Sequence, residues 1–399
     1  MVEKICGGIS MKPISQITIT LHQATPALIG SYKPEVIDRT NYIRPTSIKG
    51  LWRWCSRAII AGALYDLGYE VSSKSISYIV GKVMGLGYVD PRGYENESSR
   101  FIIRIFIDNN PRIGNIRRAS SSIMFRGRFI SLQRIRLLAM DRSLEYFYDG
   151  IYTLKLFKTR SYDRDGEELA LRSLILTFTL LGIGKGSRRG LGSLDVTNVA
   201  GFRLEKTLSQ FLNKTYDLAV NIVKRYRNKL NLKIINADKL PSIPSFSKKK
   251  VNNIFLTQIY KLDNVNWIKI HNFFLRGNRC KVLHKDYAVS DILRKRLEAW
   301  ILGLPRSQRE KGYILDEVER RASPIIFTYH KQHIFGEGVY LTVLISKDWP
   351  ENIRWIGDSY PYNKKINVTP NAIISAIQNA LDEIWQYSGV VRPLPVWPR

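Results

Sequence analysis

The stretch Ile17-Thr18-Ile19-Thr20-Leu21-His22-Gln23, followed after a loop by Arg44-Pro45-Thr46-Ser47-Ile48-Lys49-Gly50-Leu51-Trp52-Arg53-Trp54-Cys55-Ser56-Arg57, decides the reading of the fold. The first piece alternates apolar and polar residues, the period of a strand buried on one face, and Thr25-Pro26 ends it. The second opens on Pro45 and gathers Ile48, Leu51, Trp52, Cys55, Ala58, Ile59 and Gly62 on one side of a helix that Gly68 stops. Lys49, Arg53 and Arg57 fall on another side at i, i+4, i+8, joined by Thr46, and Trp54 lies on the flank away from the apolar face. Trp52 belongs to the core side.

Outward from this pair, alternation returns at residues 101–107, with Arg104 between isoleucines, and strand-like pieces follow at 123–130, 134–138 and 146–157. A second amphipathic helix covers 167–181, its acidic start at Asp163, Asp165, Glu167 and Glu168 suited to the helix dipole. A last strand is expected at 194–199. The order strand, helix, two or more strands, helix, strand is the split βαββαβ, or ferredoxin-like, arrangement. A sandwich would lack the two long helices, and a doubly wound fold would alternate strand and helix regularly.

Beyond Phe202 the texture changes. Residues 204–230 form a basic helical stretch, and the Pro/Ser/Lys composition of 239–250 reads as a linker or long loop. A second unit then has a strand at 254–260, a helix at 287–302, strands at 324–330 and 339–345 and a closing helix at 370–385. The fold class is therefore α+β, two ferredoxin-like (RRM-like) domains with a glycine-rich loop, divided as 1–203 and 204–399.

The chain has 399 residues, with 62 Lys and Arg against 34 Asp and Glu, a formal charge of +28. Hydrophobic content of 44% is enough for real cores, so the excess charge marks a surface for a polyanion, nucleic acid or an anionic membrane. Cys6, Cys55 and Cys280 lie far apart without a C-x-x-C pair, which supports neither a zinc site nor a disulfide framework and fits a reducing cytosol. The start lacks the pattern of a signal peptide, and the apolar run 174–183 is too short to span a bilayer. A soluble cytoplasmic protein that binds nucleic acid, with no membrane partner, is the expectation.

Two places can hold phosphates. The helix start combines Arg44, Thr46, Ser47 and Lys49, cations where free N–H groups already point outward. The run Gly182-Ile183-Gly184-Lys185-Gly186-Ser187-Arg188-Arg189-Gly190-Leu191-Gly192-Ser193 packs five glycines and three cations between a helix and a strand. It is neither a P-loop nor a dinucleotide fingerprint, since Gly186 follows Lys185 and the chain runs from helix into strand. Its glycines permit a nest of N–H groups, with Lys185, Arg188 and Arg189 as neutralising charges. The alternatives are a solvated basic helix face and a loop whose glycines only cap a helix.

These residues carry a resemblance. The first strand ending in Thr25-Pro26, the run Ile43-Arg44-Pro45-Thr46-Ser47-Ile48-Lys49-Gly50-Leu51-Trp52-Arg53-Trp54 and the loop from Gly184 to Ser193 resemble the RAMP superfamily of CRISPR-associated proteins. Within it, the Arg-Pro-x-Ser-x-Lys-Gly-x-x-Arg pattern is most similar to the first-numbered subunits of the Cmr (type III-B) effector complex. Gly303-Leu304-Pro305 and Arg320-Arg321-Ala322-Ser323-Pro324 also resemble that family. The resemblance implies ferredoxin-like domains and a subunit that contacts the 3′ part of a guide RNA, or the guide–target duplex, and other Cmr-type RAMP subunits. On this reading Arg44, Lys49, Arg53 and Arg57, with Gly184, Lys185, Gly186, Ser187, Arg188, Arg189 and Gly190, line the RNA path. Trp54 is a stacking candidate. No exposed aromatic pair of an RRM sheet is readable, so backbone contact is expected rather than base stacking on the sheet.

Catalysis has thin support. RAMP proteins that process guide precursors resemble metal-independent ribonucleases using histidine, and His22 lies at the end of the first strand. The other histidines are His271, His284, His330 and His333, of which His330 and His333 flank a strand turn without a nearby carboxylate pair to make a metal site. Asp38 lies in a loop comparable to one that carries an aspartate in target-cutting RAMP subunits, but a loop carboxylate beside Arg39 and Arg44 has an ordinary structural use. The expectation is a non-catalytic RNA-binding subunit without cofactor or metal. The alternatives are a RAMP endonuclease and a nonspecific architectural protein.

Overall fold

The computed structural model describes residues 15–33, 35–90, 93–116, 122–132, 135, 143–235, 240–275, 292–304, 306–308, 311–315, 320–357 and 363–399. The first half is laid down as β1 (Ser15–Gln23), α1 (Pro45–Asp66), β2 (Phe101–Asn109), β3 (Ile151–Lys158), α2 (Arg164–Leu180) and β4 (Leu194–Ala200). The four strands form one antiparallel sheet in the order β4-β1-β3-β2. Alternation sends Ile17, Ile19 and Leu21 of β1, with Leu154 and Leu156 of β3, into the core under α1 and α2. The stretch expected as one strand at 146–157 is two, Leu144–Tyr148 and Ile151–Lys158, separated by a turn in which Asp149 takes φ 61°. That expected at 123–130 is a hairpin of Ser122–Phe125 and Arg128–Ser131, and the one at 134–138 lies outside the described residues except for Ile135.

Local chemistry sets the helix ends. Asp163 caps α2, its carboxylate accepting the Gly166 N–H at 2.7 Å, with Asp165 and Glu167 in the first turn against the dipole. Trp52 is buried between α1 and α2 and donates its indole N–H to the Ala170 carbonyl at 2.7 Å. A further helix, α3 (Leu208–Tyr226), capped by Thr207, buries Phe211, Leu212, Ala219 and Ile222 in the same core as α1 and α2. In space it belongs with the first sheet, although it lies beyond the division at residue 203.

The second half has β5 (Thr257–Leu262), α4 (Trp267–Leu275), β6 (Ile325–His330), β7 (Gly338–Leu344) and α5 (Pro370–Ser388). Its sheet runs β5-β7-β6, and the antiparallel bridge of Ile259 with Trp397 adds the chain's last residues to the free edge of β5. A smaller sheet joins Arg306–Gln308, Lys311–Ile314, Asn352–Ile356 and Lys364–Asn367. The long helix expected at 287–302 is corrected: within the described residues that region holds only short turns, Ile292–Lys295 and Ala299–Leu302. The helix of this half that follows its first strand is α4.

Residues 240–249, read as a linker, are docked. Phe246 donates its backbone N–H to the Ala58 carbonyl of α1 at 2.9 Å, and Ser245 and Ser247 are fully buried. Asp66 receives the Ser247 hydroxyl and, at 2.7 Å, the Lys248 N–H, so polar composition here is satisfied inside the protein. A Cβ at Gly62 would stand 1.9 Å from the Phe246 carbonyl oxygen; glycine on α1 lets the segment lie against the helix.

Candidate nucleic-acid interface

The N-terminus of α1 has no side-chain cap and no acid in its first turn. Arg44 at that end donates to the Gly30 carbonyl at 2.5 Å, and the Lys185 N–H of the glycine-rich loop donates to the Leu28 carbonyl at 2.9 Å. The segment 28–30 thus ties the helix start to the loop. Trp54 and Arg188 complete the junction, with the Arg188 guanidinium 5.1 Å from the indole.

Along α1 the basic stripe divides. Lys49 is half-buried, and its ammonium is pushed below the ordinary lysine range by burial and then by the charge of Arg53. Arg53 donates Nε–H to the Leu86 carbonyl at 2.9 Å, which commits one edge of its guanidinium to the protein. Arg57 is exposed. Both arginines line a groove of about 330 Å³ with Ser77, Gly87, Ser98 and Ser99. Among the described residues, Lys49, Arg57 and Lys185 have no acidic partner.

The loop between α2 and β4 is held at both ends. Ile183 N–H bonds the Gly192 carbonyl, Gly192 N–H bonds Pro26, and Gly190 N–H bonds the Phe327 carbonyl of β6 at 3.0 Å. Phe327 returns its N–H to the Arg188 carbonyl, so the loop lies along the free edge of β6. The hydrogen bonds leave the consecutive N–H groups of Gly186, Ser187 and Arg188 without an acceptor among the described residues. Gly184 and Gly186 take φ near +79° and +73°, the conformation in which successive N–H groups turn to one side. Gly184 is exposed, and Lys185, Gly186, Ser187 and Arg188 are half-buried.

Arg189 and Gly190 are corrections to the loop as a phosphate cradle. The Arg189 guanidinium turns inward, donates to the Leu302 carbonyl and lies 4.8 Å from the Phe274 ring centroid. Its Nη1 has no exposed surface and no partner, and burial, reinforced by Arg188, pulls the group down to about 10. The same residue's carbonyl accepts from His271 Nδ1–H at 2.8 Å. Gly190 is buried against Phe327. These two residues join the halves of the protein instead of facing solvent. Arg188 is intermediate: Nη1 reaches the Ser323 carbonyl at 3.3 Å, while burial and nearby Arg321 push its guanidinium below the usual range.

The residues weighed for catalysis are otherwise engaged. Asp38 Oδ1 accepts the Thr40 and Asn41 N–H groups at 3.0 Å, a turn closed on itself, while Arg39 pairs with Glu145. His22 Nδ1 lies 3.0 Å from Gln332 Oε1. His330 and His333 are buried, His330 against Asp195 at 2.8 Å. His271 is fully buried, and His284, Cys6 and Cys280 lie outside the described residues. No described helix is long and apolar enough to cross a membrane.

One surface escaped the sequence reading. The face of the first sheet turned away from α1 and α2 carries Ile102, Arg104 and Phe106 of β2 beside Thr153, Lys155 and Phe157 of β3. An aromatic pair is present there after all.

Residues 20–195 match the family model of the RAMP superfamily. No curated protein sequence matches the chain. Among solved structures, a chain of the type III-B Cmr-beta bound to cognate target RNA and AMPPnP in the presence of single-stranded DNA aligns at TM-score 0.52 and 15% identity, covering 94% of this chain and 100% of that one. A second, from Cmr-beta bound to cognate target RNA, aligns at 0.50 and 16%, covering 92% and 99%. Cmr1 from Pyrococcus furiosus in its apo form aligns at 0.46 and 17%, over 91% and 97%. The segment 20–195, which holds β1, α1 and the glycine-rich loop, matches the RAMP superfamily, and the fold of the whole chain is similar to that of a chain in the Cmr-beta structure.

Proposed function

We propose that the chain is an RNA-binding, non-catalytic subunit of a type III-B CRISPR effector complex. It holds the 3′ part of a guide RNA, or the guide–target duplex, and docks on other RAMP subunits in the cytoplasm. Both halves are read as ferredoxin-like: the first sheet has the strand order fourth-first-third-second, and the second repeats it with residues 396–397 standing for the fourth strand. The observation that carries the function is the convergence on segment 28–30 of an uncapped helix start with Arg44 and Lys49 and a loop offering Lys185 and three free N–H groups. A phosphate chain entering there meets backbone donors first, then the stripe Lys49, Arg53, Arg57 along α1. Arg189 is left out of this path, and Trp54 supports it beneath Arg188. The engagement of Asp38 and His22 in structural hydrogen bonds favours binding over cleavage.

The test is a gel-shift and cleavage assay with labelled guide RNA, guide–target duplex and arbitrary duplex DNA. Expected are shifted, intact RNA and a loss of guide affinity in Lys49→Glu with Lys185→Glu. Cleavage abolished by Asp38→Ala or His22→Ala would overturn the non-catalytic reading. Equal affinity for arbitrary DNA would identify an architectural protein instead.

A further inference from the structure

The open face of the first sheet is a second surface with a chemistry of its own. Its strand register sets Arg104 beside Lys155, Phe106 beside Thr153 and Ile102 beside Phe157, with Gln16, Thr18 and Thr20 continuing the rows on β1. Phe106 is 44% exposed and Ile102 46%, unusual for large apolar side chains in the middle of a strand. The cations are interleaved diagonally with the rings: Lys155 Nζ lies 5.0 Å from the Phe106 centroid, and the Arg104 guanidinium 5.7 Å from that of Phe157. Neither cation has an acidic partner among the described residues. The carboxylate at the end of the face, Asp108, is taken by the Thr153 hydroxyl at 2.6 Å.

We infer that this face binds an unpaired stretch of RNA, with bases stacked on Phe106 and Phe157 and phosphates neutralised by Arg104 and Lys155. The occupant follows from two properties together. Uncompensated cations select an anionic partner, and exposed rings beside them select one that also presents flat π surfaces; single-stranded nucleic acid has both, while a duplex hides its base faces. Four residues along β3 plus one strand spacing put the two rings roughly 14 Å apart, with the cations midway. The rings therefore serve bases that are not adjacent, and the intervening phosphates cross the Arg104–Lys155 row. The inference rests on RNA as the chain's ligand but on different residues from the helix-and-loop path.

The experiment is fluorescence anisotropy of the full chain with a labelled ten-nucleotide oligouridine RNA and with a blunt RNA duplex of equal length. Phe106→Leu with Phe157→Leu keeps apolar bulk on the strands and removes only the rings; circular dichroism melting checks that the fold is kept. Expected is a loss of single-strand affinity of at least tenfold, as one stacked base is worth about 1–3 kcal/mol, with duplex affinity within twofold of wild type. Arg104→Ala with Lys155→Ala should weaken single-strand binding and flatten its salt dependence. Single-strand affinity unchanged by the leucine pair overturns the proposal, as does no binding of the oligouridine by wild type. A face that docks a protein would tolerate leucine and give the unchanged outcome. Sensitivity to the leucine pair combined with indifference to Lys49→Glu and Lys185→Glu would remove the helix-and-loop path and keep this surface; the reverse pattern would do the opposite.

Discussion

Replacing Gly190 by alanine tests whether the glycine-rich loop joins the two halves of the protein. Gly190 takes φ 77°, and a Cβ there would stand 2.2 Å from the Phe327 ring. That ring cannot retreat, because Phe327 is fully buried and stacked on Phe274 with centroids 5.7 Å apart. The left-handed backbone alone costs an alanine about 1–2 kcal/mol. Relieving the clash pulls the loop from β6 and breaks the Gly190–Phe327 and Phe327–Arg188 backbone hydrogen bonds, worth about 1 kcal/mol each. A stiffer unfolded chain returns about 0.4–1 kcal/mol, which leaves a net loss of about 2–4 kcal/mol. Gly50→Ala is the matched control: that glycine is exposed within α1 with nothing within 4 Å of its Cβ position, so alanine should stabilise by about 1 kcal/mol. Urea unfolding midpoints, with hydrogen exchange at the Phe327 amide, read both. A Gly190→Ala protein with wild-type midpoint and wild-type protection at Phe327 would refute the reasoning.

Arg189→Met should leave guide-RNA affinity within twofold of wild type while Lys185→Glu lowers it, because the Arg189 guanidinium is spent on the Leu302 carbonyl; equal losses in filter binding would return Arg189 to the interface. Cys55 is buried, which pushes its thiol up to about 12, so at pH 8 peptide mapping should find it unalkylated by iodoacetamide until the chain unfolds. Burial, set against the hydrogen bond to Arg189, holds the His271 ring down at about 4, against about 6.5 in an unfolded chain. Its folded form therefore binds a proton less well than the unfolded form. Its contribution is whole above pH 6.5 and is lost as pH falls towards 4, in the same direction as that of buried His333. His271→Gln should flatten this part of the pH dependence of the urea midpoint, and an unchanged profile would contradict the assignment.

The first half was legible because its signals are local. Alternation in β1 and the apolar stripe of α1 each follow from one element's own burial, and Asp163 announces the start of α2. The second half hid its helix in Trp267–Leu275, nine residues whose polar side is carried by Lys269 and Asn272, too short a stretch for a helical period to stand out. Residues 240–249 misled by composition, since buried serines satisfied by Asp66 and Thr257 look like solvent-exposed loop residues in sequence. At the candidate site, sequence singled out the helix start and the loop as two separate places rich in cations, and their joining through segment 28–30 is visible only in the structure. It could not separate Lys185, half-buried and without an acidic partner among the described residues, from Arg189, whose guanidinium is held by Leu302 and Phe274 more than eighty residues away. Phe157 was missed for a related reason: its place beside Ile102 is set by pairing between two strands far apart in the chain.

The most direct test is the salt dependence of guide-RNA affinity in wild type and in a chain carrying Lys49→Ala, Arg57→Ala and Lys185→Ala. Each lost phosphate contact should lower the slope of log affinity against log salt by about 0.7 on a single strand, so the triple variant should lose about 2 from the wild-type slope. A slope and an affinity equal to wild type would contradict the placement of the RNA backbone along the helix start and the glycine-rich loop.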